Sequence, residues 1–484
     1  MSSLEEIRAE RERKRELLKQ AGMDPYALRS DRTHTIKEVE EQFGSLSDEG
    51  KAVTIAGRTM SLRRHGGSAF ADLFDGSGEI QAFFSKDAIG EDSFSLFTDA
   101  IDPSDFIEVK GTAFTTKQNA RAIAVKEWHV LTKAIQAVPS EFYGIKDTEE
   151  RLRKRYLDIL LNKDARNMIA QKAHFWRVIR RFLEDRGYLE VETPTLEVTT
   201  GGAEATPFKT HHNDLDIDVF LRISMGELWQ KRLMAAGIPK TFEIGRVYRN
   251  EGSSPEHTQE FTNMECYTAY LNFEEGKVLV QDLYRTVAQE VFGQTSFTTR
   301  GHTFDLADEW EELDYVSTVE SIAGLNVLEA SEKDLQSKLK ELSVEHEGTT
   351  RERMTDALWK YCRRQISGPA FLVNHPKFMA PLSKTHPDDE RLTKKLQVVL
   401  AGSEVGTGYA ELNDPKEQRR RFEKQQALIE QGDTEAMMPE WDFVEMLEFG
   451  MPPTFGFGVG DRLFAFLIDK PLRETQLFPL MRPK

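Results

Sequence analysis

Two cysteines, Cys266 and Cys362, are all that the 484 residues contain. No disulfide framework follows from that number, and a reducing compartment is the expectation. Long apolar runs are missing as well. No stretch approaches the roughly 18 residues of a membrane-spanning helix, and the opening residues mix charges without the apolar segment of a secretory leader. A cytoplasmic chain with no membrane partner is therefore expected. Low-complexity tracts are absent, and no Gly-rich strand-to-helix turn of the P-loop or dinucleotide-binding type occurs, which excludes those two nucleotide-binding designs. Basic residues are outnumbered, 64 against 81 acids, for a net charge of −17. That balance argues against a uniformly basic, nucleic-acid-binding surface. Thirteen acids and three bases fall within 301–350, however, so ten of the seventeen excess negatives sit in one segment. A local basic surface elsewhere remains compatible with the composition.

What is present has the length for two or three domains. Residues 1–50 read as a charged helical arm with weak apolar periodicity, broken near Gly22 and Pro25, and the spacing predicts a solvated face. Residues 51–133 change character. Alternating runs at 53–57, 69–74, 79–84, 106–111 and 122–131, broken by Gly, Asp and Ser, predict a small five-stranded β-barrel with the OB-fold as first candidate. Residues 134–163 read as a linker. From 164 to 185 Ile169, Ala173, Trp176, Ile179 and Leu183 recur at helical spacing, widened by Phe175, Val178 and Phe182; Gly187 ends the helix and a strand at 188–191 stops before Pro194. Two alternating segments, 240–250 and 260–271, are joined by a polar loop. A mainly helical, acidic insertion near 305–365 follows, with strand-like pieces around Phe371, Val398 and Phe455. Strands that neighbour hairpins and helices gathered in blocks predict an α+β domain over 164–484, built on an antiparallel sheet flanked by helices.

The segment from Phe242 to Tyr267 carries the chemistry. Alternate side chains of a strand share a face, so Arg249 and Glu251 point together, as do Phe261, Asn263, Glu265 and Tyr267. A face holding an arginine, carboxylates and aromatics is either a binding surface or a solvated sheet face, because buried charges need partners.

Tyr248-Arg-Asn-Glu251 and Glu260-Phe-Thr-Asn-Met-Glu-Cys-Tyr267 resemble motif 2 of the class II aminoacyl-tRNA synthetases. Residues 182–194, Phe-Leu-Glu-Asp-Arg-Gly-Tyr-Leu-Glu-Val-Glu-Thr-Pro, resemble motif 1, the dimer element of that family, and Gly456-Phe-Gly-Val-Gly-Asp-Arg462 resembles motif 3. The barrel-like region, Gly201-Gly-Ala203, His375-Pro376, Pro381-Leu-Ser-Lys384, Tyr409-Ala-Glu-Leu-Asn-Asp-Pro415 and the tail from Leu477 to Pro483 are similar to the lysine-specific members. The resemblance runs from about residue 50 to the end.

It implies an ATP-dependent ligase that activates L-lysine and transfers it to tRNA(Lys), working as a homodimer with Mg2+. Arg249 and Arg462 would be catalytic: Arg249 bridging the lysine carboxylate and the α-phosphate, its planar fork suited to the pentavalent charge, and Arg462 on the γ-phosphate. Glu251, His257 and Phe261 would complete the ATP site, with Phe261 under adenine; the plain alternatives are a packing phenylalanine and a surface histidine. Gly202, Glu227, Glu265, Tyr267, Tyr409 and Glu411 match lysine-binding positions. Carboxylates crowded about one site resist burial without a cation, which suits a doubly ammonium-bearing ligand. Glu404 matches a metal position, and Glu411 is expected beside it; in a regular strand the two would face oppositely, and the glycines at 402, 406 and 408 permit a bulge that corrects this. On the barrel Phe70, Gln81 and Glu127 match anticodon-reading positions, and Arg63 and Arg64 could meet phosphates.

Four positions depart from the family pattern: Thr258-Gln259 in the motif 2 loop, Gln397 in place of a metal-binding glutamate, Thr407 in place of an asparagine, and a motif 3 one residue short before Asp461-Arg462. Three rival readings are an asparagine- or aspartate-charging relative, an enzyme that lysylates a protein or lipid, and an inactive RNA-binding paralogue. The first places a β-carboxylate against Glu265 and Glu411; loss of Arg249 or Arg462 would mark the last, and both are present.

Overall fold

In the computed structural model the residues described are 4–138, 145–252, 254–346, 348–433 and 435–483. The chain divides into two compact units, Met1–Lys146 and Asp147–Lys484. Among the described residues no helix is long and apolar enough to cross a membrane.

In the first unit strands Ala52–His65, Ser68–Phe74, Glu79–Ser85, Phe106–Thr115 and Arg121–Thr132 close into a barrel in the order first, second, third, fifth, fourth. Period-two alternation does the sorting: Val53, Ile55, Ala69, Ala71, Leu73, Ile80, Ala82 and Phe84 point inward and are buried. Bulges between Thr59 and Ser61, and between Lys110 and Gly111, bend the long strands around the closure. Helix Leu4–Gln20 is mostly exposed, as the sequence predicts, with only Arg11 and Leu18 buried, whereas the rest of the arm packs onto the barrel. Leu18, from helix Leu4–Gln20, and Ile36, Val39, Phe43 and Leu46, from two short helices, join the barrel core. Lys14 pairs with Asp102 at 2.6 Å, and Asp102 is shared with the buried Lys133. A single buried apolar residue in the first helix, and two in each of two six-residue helices, are too few over too short a span for a periodicity test to register. Of the expected linker, residues 139–144 lie outside those described, and from Asp147 onward the chain is already helical, with Arg155 and Asp158 buried in a 2.7 Å ion pair.

The second unit is built on an eight-stranded sheet. Its strands run Glu311–Asp314, Ala370–Pro376, Leu392–Leu400, Ser403–Ala410, Thr454–Gly460, Glu260–Ala269, Lys240–Tyr248 and Leu189–Glu190 across the sheet. The six inner strands are antiparallel, as expected, but both edge strands pair in parallel, so the sheet is mixed. One face is apolar. Phe242, Met264, Cys266, Leu396, Val398, Phe457 and Val459 pack against helices Lys163–Glu184 and Phe273–Val287. The first of these helices is capped by the Asn162 side chain, which accepts from the amides of Asp164 and Ala165. Its buried stripe centres on Phe175, Val178 and Phe182; Ala173 is exposed. Helices Tyr315–Ala323, Glu332–Glu341 and Arg351–Cys362 form the insertion, with a core of their own around Leu335, Leu358 and Trp359 that meets Leu372 and Val399 of the sheet. The opposite sheet face is polar and carries the site.

Candidate active site

Strand register decides which side chains share the polar face. In the hairpin Lys240–Tyr248 and Glu260–Ala269, Met264 and Cys266 turn to the core, leaving Asn263, Glu265 and Tyr267 on the other side. Strand Thr454–Gly460 sets Gly460, Gly458 and Gly456 directly opposite Asn263, Glu265 and Tyr267. The spacing of these glycines has a steric cause. A Cβ at Gly456 would overlap Glu411 Oε1 and the Tyr267 ring, and one at Gly458 would press on Glu265 Cγ at 3.0 Å. Motif 3 thus floors a pocket with backbone. On the next strand the ladder pairs Gln397 with Thr407 but Val399 with Glu404, a one-residue slip at Gly406. This is the anticipated bulge, and it turns Glu404 to the side of Thr407 and Tyr409.

The acidic end holds Glu227, Glu265, Glu411, Tyr267 and Tyr409. Glu265 is held from three sides: its Oε1 accepts from the Met225 amide at 2.8 Å and from the Asn263 side chain at 3.1 Å, and its Oε2 from the Tyr267 hydroxyl at 2.9 Å. Glu227 opens helix Glu227–Ala235 after Gly226, whose φ is 66°. Gly202, at φ 87°, lies so close that a Cβ there would collide with Ser224 and Glu227 Cβ. The structure therefore brings all six expected lysine-binding residues together. It adds one that sequence reasoning misses. Lys231, 1% exposed, reaches Glu227 at 2.7 Å and Glu411 at 2.6 Å. Its only local signal is a Glu-to-Lys pair four residues apart on one helix face, a spacing usually of little consequence at a surface. Three carboxylates against one ammonium leave the end short of positive charge. Glu411 Oε1 is buried with no hydrogen-bond partner among the described residues. Burial, with Glu227 next, pushes Glu265 up to about 7; burial, with Glu227 and Glu265 adding to it, pushes Glu411 up to about 8 even against Lys231.

The basic end holds Arg249, Arg462 and Arg363. Arg249 directs Nε and Nη2 at the Ile223 carbonyl, both at 3.3 Å, and its guanidinium lies 5.4 Å from the centre of the Phe261 ring. Burial lowers its affinity for a proton, with Glu251 and Glu265 opposing. Arg462 follows strand Thr454–Gly460 with a single residue between, and donates Nη1 to the Glu404 carbonyl at 3.0 Å. Asp461, fully buried, accepts from the Thr262 amide, Lys172, Trp176 and Gln476 and so fixes where the helix that carries Arg462 begins. His257 bonds Ser254 at 2.7 Å through Nδ1; burial and the Arg462 charge push it down to about 4, so it is neutral. Glu251 lies near Arg249, and burial raises its carboxyl.

Glu404 and Glu411, the two expected metal residues, have different side-chain partners. Glu404 is bonded by Trp359 Nε1 at 2.5 Å and Gln397 Nε2 at 2.7 Å, with Arg363 at 3.3 Å, whereas Glu411 turns to Lys231. The bulge corrects the facing of Glu404, and among the described residues the two carboxylates share no hydrogen-bond or ion-pair partner. Among the described residues no group of three acidic, His or Cys side chains is placed to hold a metal. Burial would raise the Glu404 carboxyl, but Arg363 and Lys395 outweigh it, and it is held below the ordinary range. The donor set thus fits an ion that arrives on a phosphate and takes one carboxylate from the chain, not an ion caged by protein.

On the barrel, Phe70 and Gln81 lie on the outer face of neighbouring strands, Phe70 opposite Phe83 and Gln81 opposite Asp72. Phe70 and Phe83 are 4.9 Å apart, Phe83 and Phe114 5.8 Å, giving a half-exposed aromatic row, of which sequence reasoning singles out only the first. Arg63 pairs with Asp72 at 3.1 Å, and Gln81 donates to the same carboxylate at 3.2 Å. Glu127 stands apart, exposed and paired with Lys110 at 2.8 Å.

Residues 147–482 match the tRNA synthetases class II (D, K and N) family, and residues 53–131 match the OB-fold nucleic acid binding domain. Proteins called lysine–tRNA ligase are similar along nearly their whole length. That of Roseiflexus sp. (strain RS-1) is 40% identical, covering 99% of both chains. That of Thermotoga maritima is 38% identical, over 99% of this chain and 97% of its own. That of Bacillus subtilis (strain 168) is 39% identical, over 96% and 95%. With a matching domain over most of its length and such relatives end to end, the chain belongs to the class II tRNA synthetases of the D, K and N group.

Proposed function

We propose that the protein is a lysine–tRNA ligase. The observation that carries this reading is the deficit of positive charge at the acidic end: among the described residues Glu227 and Glu411 share Lys231 as ion-pair partner, Glu265 has none, and Glu411 Oε1 has no hydrogen-bond donor. The ε-ammonium of lysine docks between Glu265 and Glu411, its stem between Tyr267 and Tyr409, and its α-ammonium at Glu227 beside Gly202. Lys231 acts as a fixed cation that keeps Glu227 and Glu411 from repelling one another apart. An aspartate or asparagine side chain brings no positive charge to this end, and aspartate adds a fourth carboxylate.

The lysine carboxylate then faces Arg249. One of its oxygens attacks the α-phosphorus of ATP, the bond to pyrophosphate breaks, and lysyl-adenylate forms. Arg249 spans the carboxylate and the α-phosphate, stabilising charge that grows in the transition state. Arg462 holds the outer phosphates, His257 is available as a neutral donor, and the adenine lies on Phe261 near Glu251. Mg2+, when bound, neutralises phosphate charge, with Glu404 as the chain's ligand. In the second step a terminal ribose hydroxyl of tRNA(Lys) attacks the acyl carbon and AMP departs. The barrel's aromatic row, Phe70 first, stacks on unpaired anticodon bases, with Gln81 and Glu127 as polar contacts. A homodimer through the motif 1 segment is supported by the exposed Leu189 within it and the exposed Leu196 and Val198 just after it, and the work is cytoplasmic.

Purified protein with Mg2+ is expected to exchange pyrophosphate into ATP with lysine and with no other standard amino acid; exchange with aspartate or asparagine, or with none, defeats the assignment. Glu411→Gln removes the charge but not the shape, and is expected to raise the lysine KM roughly 10- to 100-fold with the ATP KM little changed. Unaltered lysine kinetics would move the specificity pocket elsewhere. Phe70→Ala is expected to raise the tRNA KM roughly 5- to 100-fold and to spare lysine-dependent exchange; charging at the wild-type KM would strip the aromatic row of its role.

A further inference from the structure

The basic end contains a guanidinium that no motif accounts for. Arg363 stands in the turn Arg363–Gln365, directly after helix Arg351–Cys362, in the insertion. Its side chain is 11% exposed. Nη1 is 3.3 Å from Glu404 Oε1, Nη2 is 4.0 Å from Glu256 Oε2, and Nε is buried without a hydrogen-bond partner among the described residues. Arg462 Nη1 approaches the same Glu256 oxygen, also at 4.0 Å. Two guanidinium groups thus converge on one carboxylate oxygen from beyond hydrogen-bond range. That oxygen already accepts from Ser403 Oγ, and the other Glu256 oxygen is taken by Arg300. Arg462 records the crowding: burial first, then Arg363 and Arg249 among its neighbours, push it down to about 10 despite Glu256 and Glu404.

A buried, always-charged fork with an unused N–H, beside a second such fork, is costly unless a larger anion completes it. A carboxylate offers two oxygens in one plane, and both are spent here. A terminal phosphate offers three, with more charge, and reaches several donors at once.

We infer that Arg363 is a further phosphate-gripping residue of the nucleotide site, and that the Glu256 carboxylate stands in for the phosphate until ATP displaces it. The inference rests on the ligase reading for the identity of the nucleotide. On displacement Glu256 stays with Arg300, so the motif 2 loop keeps one anchor while Arg363 and Arg462 close on the β- and γ-phosphates. AMP, lacking those phosphates, has no means of displacing Glu256 and no use for Arg363.

The test is calorimetric titration of the full-length protein with ATP and, separately, with AMP. Arg363→Gln is expected to weaken ATP roughly 10- to 100-fold while AMP stays within about twofold, and Arg363→Lys to recover part of the loss. Glu256→Gln, which removes the competing charge, is expected to tighten ATP and leave AMP unchanged. Equal weakening of ATP and AMP by Arg363→Gln would show that the arginine merely shapes the site through Glu404, and would overturn the inference; so would unchanged ATP binding. Weaker ATP binding by Glu256→Gln would overturn the stand-in role. Intact protein that binds ATP but exchanges pyrophosphate with no amino acid sinks the ligase reading alone, and the ratio of ATP to AMP affinity still judges Arg363.

Discussion

Glu227, Glu265 and Glu411 are buried together around a single ammonium, that of Lys231, and the arrangement of the second unit follows from keeping them there. Carboxylates resist burial, and each must be restrained by donors or neutralised. Glu265 is restrained by an amide, an asparagine and a tyrosine, all fixed by strand register. Glu227 and Glu411 come from different elements and are bound to one another through Lys231. The close packing of these groups over the sheet is possible because the strand beneath has no side chains on that face at 456, 458 and 460. The apolar residues between those glycines, Phe455, Phe457 and Val459, anchor the strand in the core. One seven-residue strand therefore does two things by alternation alone: it holds the sheet to its helices and leaves the room that the acids occupy.

Charge is divided along the site. Acids outnumber the cations beside them at one end, and arginines gather at the other around Glu256 and Glu404, with Arg249 within reach of Glu251 and Glu265. In the proposed reading lysine and ATP carry the complementary charges, so each substrate would have a favourable end, and the lysine carboxylate would meet the nucleotide phosphate where the two ends join. The attack requires two anions in contact, which water disfavours and a buried guanidinium supports. The ends meet at Arg249, on which both Glu251 and Glu265 act. Substitutions away from that junction, at Glu411 on one side and Arg363 on the other, are the ones that separate amino-acid selection from nucleotide binding.

Much of this is legible in the amino-acid sequence. Alternation in 260–267 puts Asn263, Glu265 and Tyr267 on one face because strand geometry leaves no choice, and the glycine-rich strand leads directly to Arg462, since Asp461 sets the start of its helix. The bulge that turns Glu404 is also foreseeable from the glycines around it. What stays hidden depends on which distant elements meet. Lys231 has the local pattern of an ordinary helix-surface ion pair, because nothing nearby reveals that Glu411, 180 residues on, is its second partner. Arg363 lies in a segment with no motif, and its role comes from the insertion folding back onto Glu404 and Glu256. The partners of Glu404 and Glu411 are hidden for the same reason: the two lie seven residues apart along one stretch of chain, but Trp359, Arg363 and Lys231 come from elsewhere. The N-terminal arm escapes a periodicity argument because a few scattered apolar residues, Leu18 among them, find the barrel core one at a time.

The central claim is that the acidic end lacks a cation which lysine supplies, and proton exchange on binding measures it directly. Burial holds Glu265 up to about 7 and Glu411 up to about 8, so without ligand near neutral pH a proton is retained there. An arriving ammonium favours the ionised carboxylates and drives that proton off. Lysine titrated calorimetrically at about pH 7, in buffers of different ionisation enthalpy, is therefore predicted to release roughly one proton per site. Binding with no proton release, or with uptake, would contradict the account.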